Sequence, residues 1–201
     1  MFDAASYGKE IELILAPHEG GGRLMPLAPA GPLRGEGLDR LRKASNRDLL
    51  DPIPVAAEDF ADCVRSALFL YFSDLDESHT ISQGIPTSTG SYLHAIMHRQ
   101  EPDFSNSKYW FRRVGGHEVF PRLREAALSA LQANATDSAA AGRLRAQIES
   151  RPQWDPFWFV DECEAVRGRA DADLEQRLQE VQRREWQLLF DYCYRKALGR
   201  D

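Results

Sequence analysis

The stretch "EDFADCVRSALFLYFS", residues 58–73, decides the fold class. Phe60, Val64, Ala67, Leu68 and Tyr71 recur at i, i+4, i+7, i+8 and i+11, the spacing that gathers side chains on one face of an α-helix. A stripe of that length must be covered by other elements, and the chain supplies more helices to do so. Pro121 to about Ala133 repeats the pattern with Leu123, Ala127, Leu128 and Leu131. Asp155-Pro156 is an N-cap with proline at the first helical position, and Gly168 offers the stop. From Asp171 to about Leu198 a long helix carries Leu174, Leu178, Val181, Leu188 and Tyr192 on one stripe. The expectation is an all-α fold: one multi-helix domain over residues 1–201, with no strong strand signal and no internal repeat.

Glu185 interrupts the last stripe. Either it turns inward and finds a partner, since burying an unpaired carboxylate is expensive, or the stripe rotates towards Trp186, Leu189 and Cys193 and leaves Glu185 in solvent. The pattern favours solvent. Elsewhere, Tyr7 to Ala16 satisfies neither the helix nor the strand period cleanly. Residues 17–37 hold so many glycines and prolines that a long irregular loop is expected, and its His18 and Glu19 would suit a lid. Its Gly20-Gly21-Gly22 run lacks the Lys-Ser/Thr of a phosphate cradle. Asp74 to Tyr92 reads as a polar loop, and alanine is concentrated from Ala133 to Ala146.

With 43% apolar residues the chain can bury a sizeable core. A formal net charge of -6 argues against a nucleic-acid partner, because the chain offers no excess of cations to replace phosphate counterions. No apolar run approaches the roughly 20 residues of a membrane span, and Met1-Phe2-Asp3-Ala4-Ala5 is unlike a secretory signal, so a cytoplasmic protein is expected. Cys63, Cys163 and Cys193 form no Cys-x-x-Cys pair and read as buried free thiols.

The chemistry is concentrated between Gly90 and Phe120. A helix from Ser91 to about Gln100, capped by Ser88 or Thr89, would place Tyr92, Leu93, Ile96 and Met97 on one stripe and His94, His98 and Glu101 on the other side. Three readings of that second face stand open. His94 and His98 with Glu101 can ligate a divalent transition metal, with His79 or His117 completing the shell. The histidines can act as neutral proton-transfer groups in a pocket. They can also simply be solvated, or packed at a second helix interface.

Pro102 stops that helix, Asp103 or Ser105 can cap another, and Gly115-Gly116 closes it. On it Tyr109, Trp110 and Phe111 must point in three directions. Lys108, Arg112 and Arg113, followed by Arg122 and Arg124, suit an anionic small molecule, or else pair with Glu101, Asp103, Glu118 and the acidic run at 161–164. The expected ligand-binding set is therefore His79, Tyr92, His94, His98, Lys108, Tyr109, Trp110, Arg112, Arg113 and His117. The rival is a helical interaction module, since Trp, Tyr and Arg also make interface hot spots. A homodimer through the Leu174, Leu178 and Val181 stripe is a further expectation.

The string "TGSYLHAIMHRQEPDFSNSKYWFRRVGGHEVF", residues 89–120, resembles a motif of an uncharacterised bacterial protein family. In it a Ser-Tyr-x-His-x-Ile-x-His-Arg core leads into Glu-Pro-Asp-x-Ser-Asn-x-Lys-Tyr-Trp-Phe-Arg-Arg-Val-Gly. The resemblance implies a bacterial origin and supplies no activity. The chain carries no Gly-x-Ser-x-Gly elbow, Walker A loop or Rossmann glycine fingerprint.

Overall fold

Short polar side chains start most of the helices by satisfying backbone donors that have no partner inside the first turn. Thr87 accepts from the Gly90 N–H and Asp103 from the Asn106 N–H, both at 3.1 Å. Asp155 accepts from Phe157 and Trp158 at 3.0 and 3.1 Å, and Asp171 from Leu174 at 3.0 Å.

The computed structural model describes residues 2–132 and 138–200. Among them are eleven α-helices and no strand. In order they are α1 (Lys9–Leu15), α2 (Glu36–Lys43), α3 (Asn46–Leu50), α4 (Glu58–Tyr71), α5 (Leu75–Ser82) and α6 (Ser88–Gln100). They continue with α7 (Phe104–Val114), α8 (Val119–Gln132), α9 (Ala139–Glu149), α10 (Pro156–Val166) and α11 (Ala172–Ala197). The all-helical class is as the periodicity predicts.

Two helices organise the rest. α11 lies along α4 and α8 and also touches α9 and α10, while α6 is held between α4, α5 and α7. Every residue of α6 from Thr89 to Gln100 is buried. α5 and α7 each pack on α6 and hardly on one another, and the three helices meet along a buried seam.

The turn between α5 and α6 is pressed tightly onto α6. A Cβ built on Gly90 would stand 2.5 Å from the Ile85 Cβ and 2.6 Å from the Ile85 carbonyl oxygen. In an open helix Gly→Ala gains up to about 1 kcal/mol, whereas here overpacking should reverse the sign. Gly90→Ala is expected to cost about 1–3 kcal/mol in urea unfolding, and a neutral or stabilising result would show that the turn yields.

Several elements differ from the sequence reading. Asp74 to Tyr92 is not a loop: α5 occupies its middle. Its inner face is made of hydroxyls, with Ser78 Oγ 2.9 Å from Ser66 Oγ and Ser82 Oγ 2.8 Å from His94 Nδ1, so it carries a buried face without an apolar pattern. The cap of α6 is Thr87, not Ser88 or Thr89. The undecided Tyr7–Ala16 stretch is α1, which buries Ile11, Ile14 and Leu15. Residues 17–37 are not one loop: a kinked 3-10 turn covers Ala16–Gly21, residues 22–35 are irregular, and Gly37 lies in α2. Part of the alanine-rich run, 133–137, lies outside the described residues.

The largest correction concerns α11. Both candidate stripes are inside except for the half-buried Leu188, and Glu185 is buried with 0% exposure rather than in solvent. α11 is enclosed on several sides, so a single-stripe reading under-counts its buried face. Leu174, Leu178 and Val181 are likewise buried within the chain, which leaves that stripe no free surface for a second copy.

Candidate functional site

α6 presents its histidines to the seam between α5 and α7. Positions 94 and 98 are one turn apart, so both imidazoles leave the helix in the same direction, with the Nε2 atoms 3.0 Å from one another. α5 brings a third imidazole: the His79 ring centroid lies 4.7 Å from that of His94 and 5.4 Å from that of His98. One ring nitrogen from each of His79, His94 and His98 falls in a group whose members are all within 4.8 Å. His94 and His98 are buried and His79 is half-buried.

The other nitrogens of the α6 pair are held from outside. Glu101, the residue that caps the end of α6, stands 2.8 Å from His98 Nδ1, so the carboxylate accepts from Nδ1–H and leaves the Nε2 lone pair facing inward. Ser82 Oγ is 2.8 Å from His94 Nδ1. A hydroxyl both donates and accepts, so Ser82 serves two states. When it donates to Nδ1, His94 carries its proton on Nε2 and gives it to His98, and the chain of bonds closes with a proton in the centre. When it accepts from Nδ1–H, the His94 Nε2 lone pair faces inward beside that of His98, to which the Asn106 amide N–H stands in position to donate.

α7 lies on the other side of the seam. Asn106, Trp110 and Arg113 share one of its faces at i, i+4 and i+7. The Asn106 amide nitrogen is 3.0 Å from His98 Nε2, the Trp110 ring is 4.2 Å from that of His94, and the Arg113 guanidinium stands 5.0 Å over the Trp110 ring. Burial first, and then the neighbouring His98 and His79, push the His94 pKa down to about 3. His94 is therefore neutral at pH 7, the form in which an imidazole ligates a metal.

The other expected site residues divide. Glu101 is present as the partner of His98, while the third imidazole of the group is His79. His117 stands apart: its Nδ1 accepts from the Val119 N–H and its Nε2 meets Thr89 Oγ1, both at 3.2 Å, and burial pushes its pKa down to about 4. Tyr92 belongs to the core, where its hydroxyl donates to Glu185 at 3.0 Å. Lys108 turns away to form an ion pair with Asp161 of α10, and the exposed Arg112 follows in the same row of α7. Tyr109 is 49% exposed, Trp110 half-buried and Phe111 buried, the three directions that the helix requires.

Ser82 and Asn106 were not singled out in the sequence. Asn106 had a signal, its i, i+4, i+7 relation to Trp110 and Arg113; Ser82 had none once its helix had been read as a loop. Two cavities of about 650 and 320 Å³ lie elsewhere. The larger is lined by His117, Phe120, Arg124, Arg151 and Trp154 among others, and the smaller by Tyr7, Arg122, Arg184 and Asp191 among others. Neither includes a member of the three-histidine group.

Comparison with protein-family models, with curated proteins and with solved structures finds no match to this chain. The resemblance of residues 89–120 gains no support from it, and the functional reading rests on the geometry alone.

Proposed function

We propose that the protein is a divalent transition-metal protein with one ion held by His79, His94 and His98, and that the ion acts as a Lewis acid on a small molecule. The observation that carries this reading is the convergence of three imidazoles from two helices, while Glu101 holds the far nitrogen of His98 and Ser82 bonds that of His94. A carboxylate–histidine–metal arrangement sets the tautomer and raises the basicity of the ligand. Three neutral nitrogen donors suit zinc, cobalt, nickel or copper better than magnesium or calcium, and leave a position for water or substrate. Water there would deprotonate near neutrality and serve as a nucleophile.

The test is the metal content of protein purified without chelator, together with titration of the stripped protein with zinc and cobalt. About one equivalent is expected in the wild type and none in the His94→Ala/His98→Ala double variant. Glu101→Gln should keep the site and weaken it about 10–100-fold. A wild-type protein that binds neither ion tightly would leave the three histidines as a hydrogen-bonded core cluster.

The alternative, a helical interaction module, draws on the exposed Tyr109. Among the described residues the exposed large apolar side chains are Leu13 and Tyr109, on α1 and α7. Two side chains on separate helices make a poor hot-spot cluster.

A further inference from the structure

We infer that the smaller cavity, between the 3-10 turn Ala4–Tyr7, α8 and α11, binds a small organic anion, with Arg184 and Arg122 taking its charged head and Phe2, Ala126 and Leu188 its apolar body. This second site is independent of the metal reading.

Two helix faces meet at the cavity. Arg184, Gln187, Leu188 and Asp191 stand at i, i+3, i+4 and i+7 on α11, and Arg122 and Ala126 at i and i+4 on α8. The side chains divide by chemistry. Phe2, Ala126 and Leu188 make an apolar side, and the Phe2 ring is fixed by the Tyr7 ring at 5.0 Å and the Trp186 ring at 5.3 Å. A volume of about 320 Å³ lies at the small end of ligand pockets, which run from about 300 to 1,000 Å³, and suits a molecule of one ring.

On the polar side guanidinium is in surplus. Asp191 is the carboxylate of the wall, and both its oxygens are engaged: Oδ1 accepts from the Tyr7 hydroxyl and Oδ2 from Arg195 Nε, each at 3.2 Å. Arg122 stands 3.8 Å from Oδ2, at the edge of ion-pair distance, and among the described residues Arg184 makes no ion pair. The charges felt by Arg184 are those of Arg183 and Glu180, and Glu180 is itself paired with Arg177 at 2.9 Å. Asp3, beside Phe2, accepts from the Ala5 N–H, and Glu125 of α8 lines the larger cavity instead. Even with Asp3 counted, the guanidiniums of Arg122, Arg183, Arg184 and Arg195 outnumber the carboxylates of Asp191, Glu180 and Asp3. The larger cavity has no such surplus, because Glu125 and Asp155 line it beside Arg124 and Arg151.

Arg184 is also held in place. Its Nη1 donates to Gln187 Oε1 at 3.1 Å, and the buried Gln187 amide donates in turn to the Gly21 carbonyl at 2.9 Å. Burial and then Arg183 push the Arg184 pKa below its ordinary value, and a bound anion opposes both effects. A guanidinium so fixed presents its remaining N–H groups to an oxyanion with little further ordering.

Benzoate is the probe, followed by NMR titration of the protein, beside acetate, which lacks the apolar body, and benzamide, which lacks the charge. Benzoate is expected to bind with a Kd on the order of 1 mM, and each of the others at least about tenfold more weakly. Arg184→Met should weaken benzoate about tenfold. Arg122→Met, at a side chain 57% exposed and so without consequence for the fold, should weaken it severalfold, while Arg112→Met on the distant α7 leaves it unchanged. The same affinity is expected with and without one equivalent of zinc, which separates this site from the metal centre. The inference is overturned if benzoate fails to bind up to about 50 mM, if acetate or benzamide binds as tightly, if the response requires zinc, or if both arginine variants bind benzoate as the wild type does.

Discussion

Glu185→Ala is expected to destabilise the fold by about 3–5 kcal/mol, because it leaves a guanidinium charge buried without its counter-ion. The carboxylate is 0% exposed and lies in a closed set of partners. Its Oε1 accepts from the Tyr92 hydroxyl at 3.0 Å and from Arg99 at 3.4 Å, and its Oε2 forms a short ion pair with Arg99. Arg99, itself 1% exposed, also donates to Gln182 Oε1 at 3.3 Å and lies over the Phe159 ring. Burial and then the Glu185 charge push the Tyr92 hydroxyl far above its ordinary pKa, so it remains a donor at any pH at which the protein is folded.

Removing both charges tests the mechanism. Arg99→Met/Glu185→Leu should recover most of the loss, since apolar side chains of similar volume often replace a buried pair at little cost. For a chain of this size the single variant corresponds to a fall in Tm of roughly 10 °C. A Glu185→Ala protein within about 1 kcal/mol of the wild type in urea unfolding would show that Arg99 reaches water. The pair also has a bearing on the site. Arg99 follows His98 in the sequence, so tying Arg99 to α11 sets the rotation of α6 that aims His94 and His98 at the seam between α5 and α7.

What was legible in the sequence and what was not follows the range of the interaction. α4 and α8 could be read because their stripes are local, and α7 and α10 because Asp103 and Asp155 announce their starts. The helical wheel placed His94 and His98 opposite Tyr92, Leu93, Ile96 and Met97, and the structure keeps that division. It does not leave the second face outside the core, because α5 and α7 cover it. His79 joins the site through α5, whose buried face is built from Ser78 and Ser82 and so shows no apolar period. Glu185 and Arg99 meet across 86 positions, and no local pattern records which buried charge answers another. Lys108 and Arg113 look equivalent in the string "KYWFRR", yet helix geometry sends Lys108 to α10 and Arg113 onto the Trp110 ring.

Acidification of the metal-free protein should remove about 4 kcal/mol of stability between pH 7.5 and pH 5, through two histidines that fold in the neutral form. His94 is held at about 3 by burial and by His98 and His79, and His117 at about 4 by burial. In the unfolded chain both revert to about 6.5. Between that value and the folded one the unfolded chain binds a proton that the folded chain refuses, so stability rises with pH across the window. Each contribution is therefore fully present above about pH 6.5 and is lost as pH falls, and each amounts to about 2 kcal/mol by pH 5. Their lower limits differ: the loss from His117 levels off near pH 4, and that from His94 near pH 3. Urea unfolding across this range checks the slope. His117→Phe keeps a ring of similar breadth against Tyr92, Phe120 and Tyr192 and should remove about half of the pH dependence. A bound metal acts in the same direction, because protons compete with it for His94, so the zinc-loaded protein should be more stable at pH 7.5 and lose more on descent to pH 5. A stability that is flat from pH 7.5 to pH 5 in the metal-free protein would mean that both imidazoles are hydrated.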